Sequence, residues 1–107
     1  MIRLATVSDV PAMHRLRLQV RENVLSDPSR ITEAMTADAI TVSGRGWVCE
    51  EHGKILGFSI ARDKDPSIWA LFTLPGEEGR GIGHALHEAA VDWLWLLGAQ
   101  RIWLTTE

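Results

Sequence analysis

Three alternating glycines stand between an apolar segment and an amphipathic one, and this loop constrains the fold more than any other feature. Gly79, Gly81 and Gly83 lie between the apolar run 68–74 and the helical pattern 82–97. Without a Cβ the backbone can approach a ligand closely, and its N–H groups can point outward. The dipole of the following helix adds positive potential there. The pattern predicts a strand, a phosphate-binding loop and a helix; the alternative is a turn that serves only strand–helix packing.

The N-terminal half predicts one strand and two helices. The short alternating run 2–5 is typical of a strand, and Ser8-Asp9 is a predicted helix cap. Apolar residues then recur at helical spacing from Val10 to Val24. A weaker helix is predicted over 33–41, with Thr32 as its cap. The charged residues of the first helix are predicted to lie largely away from its apolar stripe: His14, Arg15, Arg17, Arg21 and Glu22.

The C-terminal half predicts four strands around one helix. Segments 47–51 and 54–61 flank the tight turn His52-Gly53 and predict a hairpin. The run 68–74 is apolar on both faces, as in a covered central strand. A helix-length crossover joins it to a last strand at 101–107, so these two strands should be parallel. The predicted fold is α/β, a mixed sheet in the order β-α-α-β-β-β-α-β.

Composition limits the class of protein. The chain has 107 residues, 46% hydrophobic and 23% charged, which predicts one folded domain over 1–107. A net charge of -3 argues against nucleic acid as a partner. The sequence has no apolar run long enough to span a membrane, and its single cysteine cannot form an internal disulfide. These features favour a cytoplasmic location.

Two common phosphate-binding motifs do not fit the loop. A P-loop requires Gly-Lys-Ser/Thr, whereas this chain has Gly83 followed by His84. A dinucleotide fingerprint requires a third glycine where either register places His84 or Leu86. Glu107, at the end of the next predicted strand, keeps a dinucleotide-binding oxidoreductase fragment open as an alternative, because a ribose-binding acid would lie there.

The segment Glu78-Gly79-Arg80-Gly81-Ile82-Gly83 resembles the acetyl-CoA loop of the GNAT N-acetyltransferases, whose motif is Gln/Arg-x-x-Gly-x-Gly/Ala. Gly81 and Gly83 match its glycines, Arg80 matches a frequently basic position, and Glu78 replaces the usual Gln or Arg. The predicted element order is also similar. In the family a further helix and two strands follow the strand that here ends at Glu107. By this resemblance the chain is a GNAT-like domain that lacks its C-terminal part.

The resemblance implies transfer of an acetyl group from acetyl-CoA, by direct attack, to a primary amine of a small molecule, peptide or protein, with no metal. A non-catalytic CoA- or nucleotide-binding module is the other reading. In the family the strand before the loop pairs with the pantetheine arm, and the loop holds the pyrophosphate. The residues that the resemblance assigns to acetyl-CoA are Leu71, Phe72, Thr73, Glu78, Gly79, Arg80, Gly81, Ile82, Gly83 and His84.

The sequence indicates the catalytic acid and base less clearly than the acetyl-CoA-binding residues. The strand 67–74 has no acidic residue, and the chain has no tyrosine, the residue that commonly protonates the departing thiolate in this family. Glu22 and Glu107 are the candidate bases; the alternatives are a solvated carboxylate at Glu22 and a chain-end residue at Glu107. His84 and His87 are spaced for metal binding, but a solvated helix face is the preferred interpretation.

The last predicted strand raises a question about its outer edge. Ile102, Trp103 and Leu104 are apolar on both faces, as in strands that are covered on both sides. We therefore expect either a longer gene product or a second copy, in a homodimer, to cover this edge. Cys49 alternates within a predicted strand and is expected to be a buried core residue.

Overall fold

Five strands and three helices follow the predicted order in the computed structural model, which describes residues 1–21 and 31–104. The sheet has the order β1-β2-β3-β4-β5; neighbouring strands are antiparallel except β4 and β5, which are parallel. The predicted α/β fold and its mixed sheet are confirmed. The elements are β1 (Ile2–Leu4), α1 (Val10–Arg21), α2 (Glu33–Thr41), β2 (Gly44–Glu51), β3 (Lys54–Arg62), β4 (Ser67–Thr73), α3 (Ile82–Leu96) and β5 (Trp103–Leu104).

Local chemistry sets where the first two helices begin. The Thr32 side chain accepts a hydrogen bond from the N–H of the third residue of α2 at 3.1 Å, as predicted for a cap. The entry to α1 differs from the predicted Ser8-Asp9 cap. Thr6 precedes a single 3-10 turn, Val7–Asp9, which runs directly into α1. The Asp9 carboxylate accepts the Thr6 N–H at 2.8 Å, so the capping interaction lies one turn earlier.

Two apolar clusters cover the two faces of the sheet. The helices α1 and α2 pack on one face, where the fully buried Met13 and Phe58 belong to the same cluster. The helix α3 packs on the other face, and Cys49 is buried there, as predicted. The Ser59 hydroxyl donates to the Leu86 carbonyl at 3.0 Å and joins β3 to α3. None of the helices in 1–21 and 31–104 is long and apolar enough to cross a membrane.

The prediction that Arg17 lies away from the apolar stripe of α1 is wrong. Its side chain is buried against the sheet, and its guanidinium lies over the rings of Phe58, Trp69 and Phe72 at 5.8, 5.4 and 4.8 Å. The flat guanidinium is more weakly hydrated than an ammonium group and stacks on aromatic rings, so it can occupy this apolar face. Helical spacing does not reveal such contacts, because the rings belong to distant strands.

A bulge at Trp69 separates two parts of β4. The register of β4 with β3 shifts between Ile60 and Ala61, which leaves Trp69 as an extra residue in β4. Before the bulge, Ser67 and Ile68 pair with β5. After it, no described strand pairs with β4 on the β5 side, so this edge of the sheet is open from Trp69 onward within residues 1–21 and 31–104.

One arginine ties together β1, β2 and the start of α1. The Arg3 guanidinium donates to both carboxylate oxygens of Asp9 at 2.8 and 2.9 Å, and to Glu50 at 2.8 Å. The hydrogen bond from Arg3, with a further one from the Thr6 N–H, lowers the pKa of the Asp9 carboxyl to about 2. The charged carboxylate is therefore the form that the fold stabilises.

We predict that Asp9→Asn lowers the free energy of unfolding by about 1–2 kcal/mol at neutral pH, because it removes a charge-assisted hydrogen bond. Because the folded pKa of Asp9 lies below its usual value, this difference should be present above about pH 4. It should diminish as the pH falls towards 2, where the wild-type carboxyl takes up a proton and loses its charge.

Urea unfolding at several pH values measures this difference. The control is Asp92→Asn, at an exposed carboxylate of α3 that has no ion pair among the described residues. A difference between Asp9→Asn and wild type that does not change between pH 7 and 2 would show that the ion pair does not contribute.

Candidate functional site

The open edge of β4 carries two residues whose backbone faces away from β3. The Leu74 N–H donates to the Leu56 carbonyl at 2.8 Å, and hydrogen-bonded pairs alternate along antiparallel strands. The backbone groups of Phe72 therefore face β3, whereas those of Leu71 and Thr73 face the open edge. Of the three residues assigned to a pantetheine arm, Leu71 and Thr73 present backbone donors and acceptors there, and Phe72 presents a buried side chain to the α1 face.

The chain leaves β4 through a tight turn. The Glu77 N–H donates to the Leu74 carbonyl at 3.0 Å across Pro75 and Gly76, and Gly76 has a φ of 94°, as a type II turn requires. The Glu78 carboxylate accepts the Gly76 N–H at 2.8 Å. The acid that replaces the family's Gln or Arg thus points back into this turn.

The three predicted glycines serve two different purposes. Gly79 and Gly81 have left-handed φ values of 85° and 81°, and a Cβ at either position would meet nothing within 4 Å. Glycine is needed at these two positions for its left-handed backbone conformation, and the space beside both is open. A Cβ at Gly83 would lie 3.3 Å from Thr73 Oγ1, so Gly83 allows α3 to begin close against β4. Close packing of strand against helix, the alternative role predicted for the glycines, therefore applies to Gly83. It does not apply to Gly79 and Gly81, which shape the loop.

Three backbone N–H groups at the start of α3 have no acceptor among the described residues. The first hydrogen bond of the helix runs from the Ala85 N–H to the Gly81 carbonyl at 3.0 Å. The backbone N–H groups before Ala85 are those of Ile82, Gly83 and His84, and Gly81 has no side chain that could cap them. These N–H groups lie at the positive end of the helix dipole and beside the end of β4. Their arrangement suits an anion such as pyrophosphate.

Arg80 is the basic residue of the loop, and two carboxylates hold it. Its guanidinium donates to Glu77 at 2.6 Å and to Glu51, at the end of β2, at 2.7 Å. Hydrogen bonds from Arg80 to Glu77 and then Glu51 raise the pKa of the guanidinium. The positive potential at the start of α3 thus comes mainly from backbone N–H groups, and Arg80 links the loop to the end of β2.

Gly57 fixes how closely α3 approaches the sheet. A Cβ there would lie 2.9 Å from the Phe72 carbonyl oxygen and 3.0 and 3.1 Å from carbons of Leu86 and Ile82. The first turn of α3 therefore rests directly on β3. Sequence reasoning did not single out Gly57, although a glycine inside an apolar strand is a known sign of close approach.

The two candidate bases, Glu22 and Glu107, lie outside the described residues. The His84 imidazole is 3.1 Å from the Glu88 carboxylate, one helical turn away on the exposed face of α3. Residues 1–21 and 31–104 contain no group of three or more His, Cys, Asp or Glu side chains that could hold a metal ion.

Known protein families provide an independent comparison. A model of the GNAT acetyltransferase family matches residues 10–107. A search of the curated proteins found no match.

Solved structures share the fold. A GNAT family acetyltransferase from Brucella melitensis in complex with acetyl-CoA is 24% identical, with a TM-score of 0.79, over 97% of this chain and 73% of that one. An acetyltransferase from Vibrio fischeri is 15% identical, with a TM-score of 0.82, over 99% and 95% of the two chains. A ribosomal-protein-alanine N-acetyltransferase from Brucella melitensis biovar Abortus 2308 is 14% identical, with a TM-score of 0.74, over 97% and 77%.

These identities show likeness of fold, and the match to the family model adds the sequence relationship. The family model covers the glycine loop, the three N–H groups at the start of α3 and the open edge of β4. The chain therefore belongs to the GNAT acetyltransferase family.

Proposed function

We propose that this chain binds acetyl-CoA and transfers its acetyl group to a primary amine of a small molecule or peptide. The observation that carries the proposal is the set of N–H groups on Ile82, Gly83 and His84, which have no acceptor in the described part of the chain and lie next to the open edge of β4. The N–H groups at the start of α3 suit the pyrophosphate, and the open edge of β4 suits an extended arm that contains amides. The similar Brucella melitensis acetyltransferase, in complex with acetyl-CoA, supports the choice of ligand.

The open edge would bind the pantetheine arm as a neighbouring strand would. The arm contains two amide groups, and the backbone groups of Leu71 and Thr73 face the edge where those amides would lie. A backbone N–H of β4 directed at the thioester oxygen would polarise the carbonyl, since it stabilises the charge that develops during attack. The side chains of β4 need contribute nothing to this step.

The transfer begins with a neutral amine. Its nitrogen attacks the thioester carbon, the C–S bond breaks, and the amide product and CoA thiol are formed. The amine gives up one proton and the thiolate takes up one. Glu22 and Glu107 remain the candidate bases for the first proton, and a chain with no tyrosine must protonate the thiolate by another group or by water.

A non-catalytic CoA-binding module is the second candidate. Two observations favour it: β4 has no acidic residue, and the chain has no tyrosine to act as an acid. Both candidates require the same binding site, so binding and turnover must be measured separately.

We predict that acetyl-CoA raises the melting temperature of the wild-type protein, whereas NAD and ATP do not. A ligand at 100 times its dissociation constant adds about 2.7 kcal/mol to the stability of the folded state. Gly81→Glu should abolish this effect, because its side chain would enter the open space beside the N–H groups of α3 and repel the pyrophosphate.

Gly98→Glu is the matched control. Gly98 follows the other end of α3, with a φ of 92° and open space around its Cβ position. Both variants carry the same backbone strain and the same added charge. Acetyl-CoA binding that survives Gly81→Glu within a few fold would place the cofactor elsewhere, and a preference for NAD would contradict the acetyltransferase proposal.

We further predict release of CoA thiol from acetyl-CoA only when an accepting amine is present. A thiol-reactive dye with a panel of amines and short peptides measures this turnover, and Gly81→Glu is the inactive control. Acetyl-CoA binding without release of thiol for any amine would favour the binding module over the enzyme.

A further inference from the structure

A cavity of about 510 Å³ lies between α1 and the start of β3. Arg15 and Gln19 line it from α1, Lys54 lines it from β3, and Leu74 lines the end beside β4. None of the lining residues within 1–21 and 31–104 is an aspartate or a glutamate. The charge of the described lining is therefore positive, although the whole chain has a net charge of -3.

Arg15 and Lys54 have no ion-pair partner among the described residues. Arg3 is paired with Asp9, and Arg80 is paired with Glu51 and Glu77. Both side chains line the same cavity and are exposed to solvent, so an anion in the cavity can attract both cations. The arrangement is suited to binding a negatively charged group.

The cavity adjoins the loop that would hold acetyl-CoA. Leu74 directly follows Thr73, whose backbone faces the open edge of β4. The β2–β3 turn contributes Gly53 to the cavity, and Glu51 beside that turn holds Arg80 of the loop. A ligand in the cavity therefore lies on the α1 side of the place where β4 ends.

We propose that this cavity binds a carboxylate or phosphate group through Arg15 and Lys54, and that the amine acceptor is itself an anion, such as an amino acid or an acidic peptide. The identification of the acceptor rests on the proposed acetyl transfer. An arginine fork binds a carboxylate through two hydrogen bonds, the lysine adds a point charge, and the Gln19 amide can donate a further hydrogen bond. The same chemistry would bind the ribose phosphate of CoA, so the test separates the two sources.

The first arm of the test needs no turnover. Glutarate and inorganic phosphate are titrated against the ¹⁵N-labelled protein, and the expected result is a saturable shift of the backbone amides of Gln19 and Lys54. Arg15→Gln with Lys54→Gln should abolish it. Arg101→Gln removes an exposed cation at the other end of the sheet and should leave it unchanged.

The second arm compares matched acceptors by thiol release: glutamate with glutamine, and β-alanine with propylamine. We expect an about tenfold lower KM for the acidic member of each pair, as one charge-assisted hydrogen bond would give. The double variant should lose this preference, and Arg15→Lys should keep part of it. Neither change should alter the thermal shift with acetyl-CoA.

The third arm compares CoA with dephospho-CoA, which lacks the ribose phosphate. The double variant could lose the preference for CoA over dephospho-CoA and keep the preference for acidic acceptors. That result would show that the cavity binds the ribose phosphate of the cofactor. It would support the anion site and overturn the proposal of an acidic acceptor. The anion site itself is overturned if the amides do not shift in the first arm and the double variant keeps both the preference for acidic acceptors and the preference for CoA. Failure of the proposed function would instead appear as wild-type protein that does not bind acetyl-CoA.

Discussion

The contact of α3 with the sheet is the constraint on which the candidate site depends. Gly57 lets the first turn of α3 rest on β3, since a Cβ there would meet the Phe72 carbonyl oxygen at 2.9 Å. Ser59 then fixes the helix through its hydrogen bond to the Leu86 carbonyl. With α3 in this position, the loop must turn sharply through left-handed Gly81, and the first N–H groups of the helix come to lie beside the end of β4.

The electrostatics of this region come from two different sources. At the start of α3 the positive potential is that of backbone N–H groups, because Glu51 and Glu77 already hold the Arg80 guanidinium. In the cavity beside α1 the positive charges are those of Arg15 and Lys54, which have no ion pair among the described residues. An acyl-CoA would thus be recognised mainly by backbone, and the acceptor by side chains.

Local patterns were enough to predict most of the fold. The β2–β3 hairpin, the Thr32 cap and the glycine loop each depend on residues that are close in the sequence. The remaining features depend on how distant strands align. The bulge at Trp69 follows from the register of β4 with β3, and that register also decides that the backbone of Leu71, and not that of Phe72, faces the open edge. The partners of Arg80 likewise required the three-dimensional structure, because Glu51 lies 29 residues away.

The central claim is that backbone groups at the start of α3 and at the open edge of β4 hold acetyl-CoA. Titration of the ¹⁵N-labelled protein with acetyl-CoA, followed through its amide resonances, tests this claim directly. We predict the largest shifts at Ile82, Gly83 and His84, a second group at Leu71 and Thr73, and little change at the other end of α3. Saturable binding that leaves the amides of 82–84 unchanged would contradict the account.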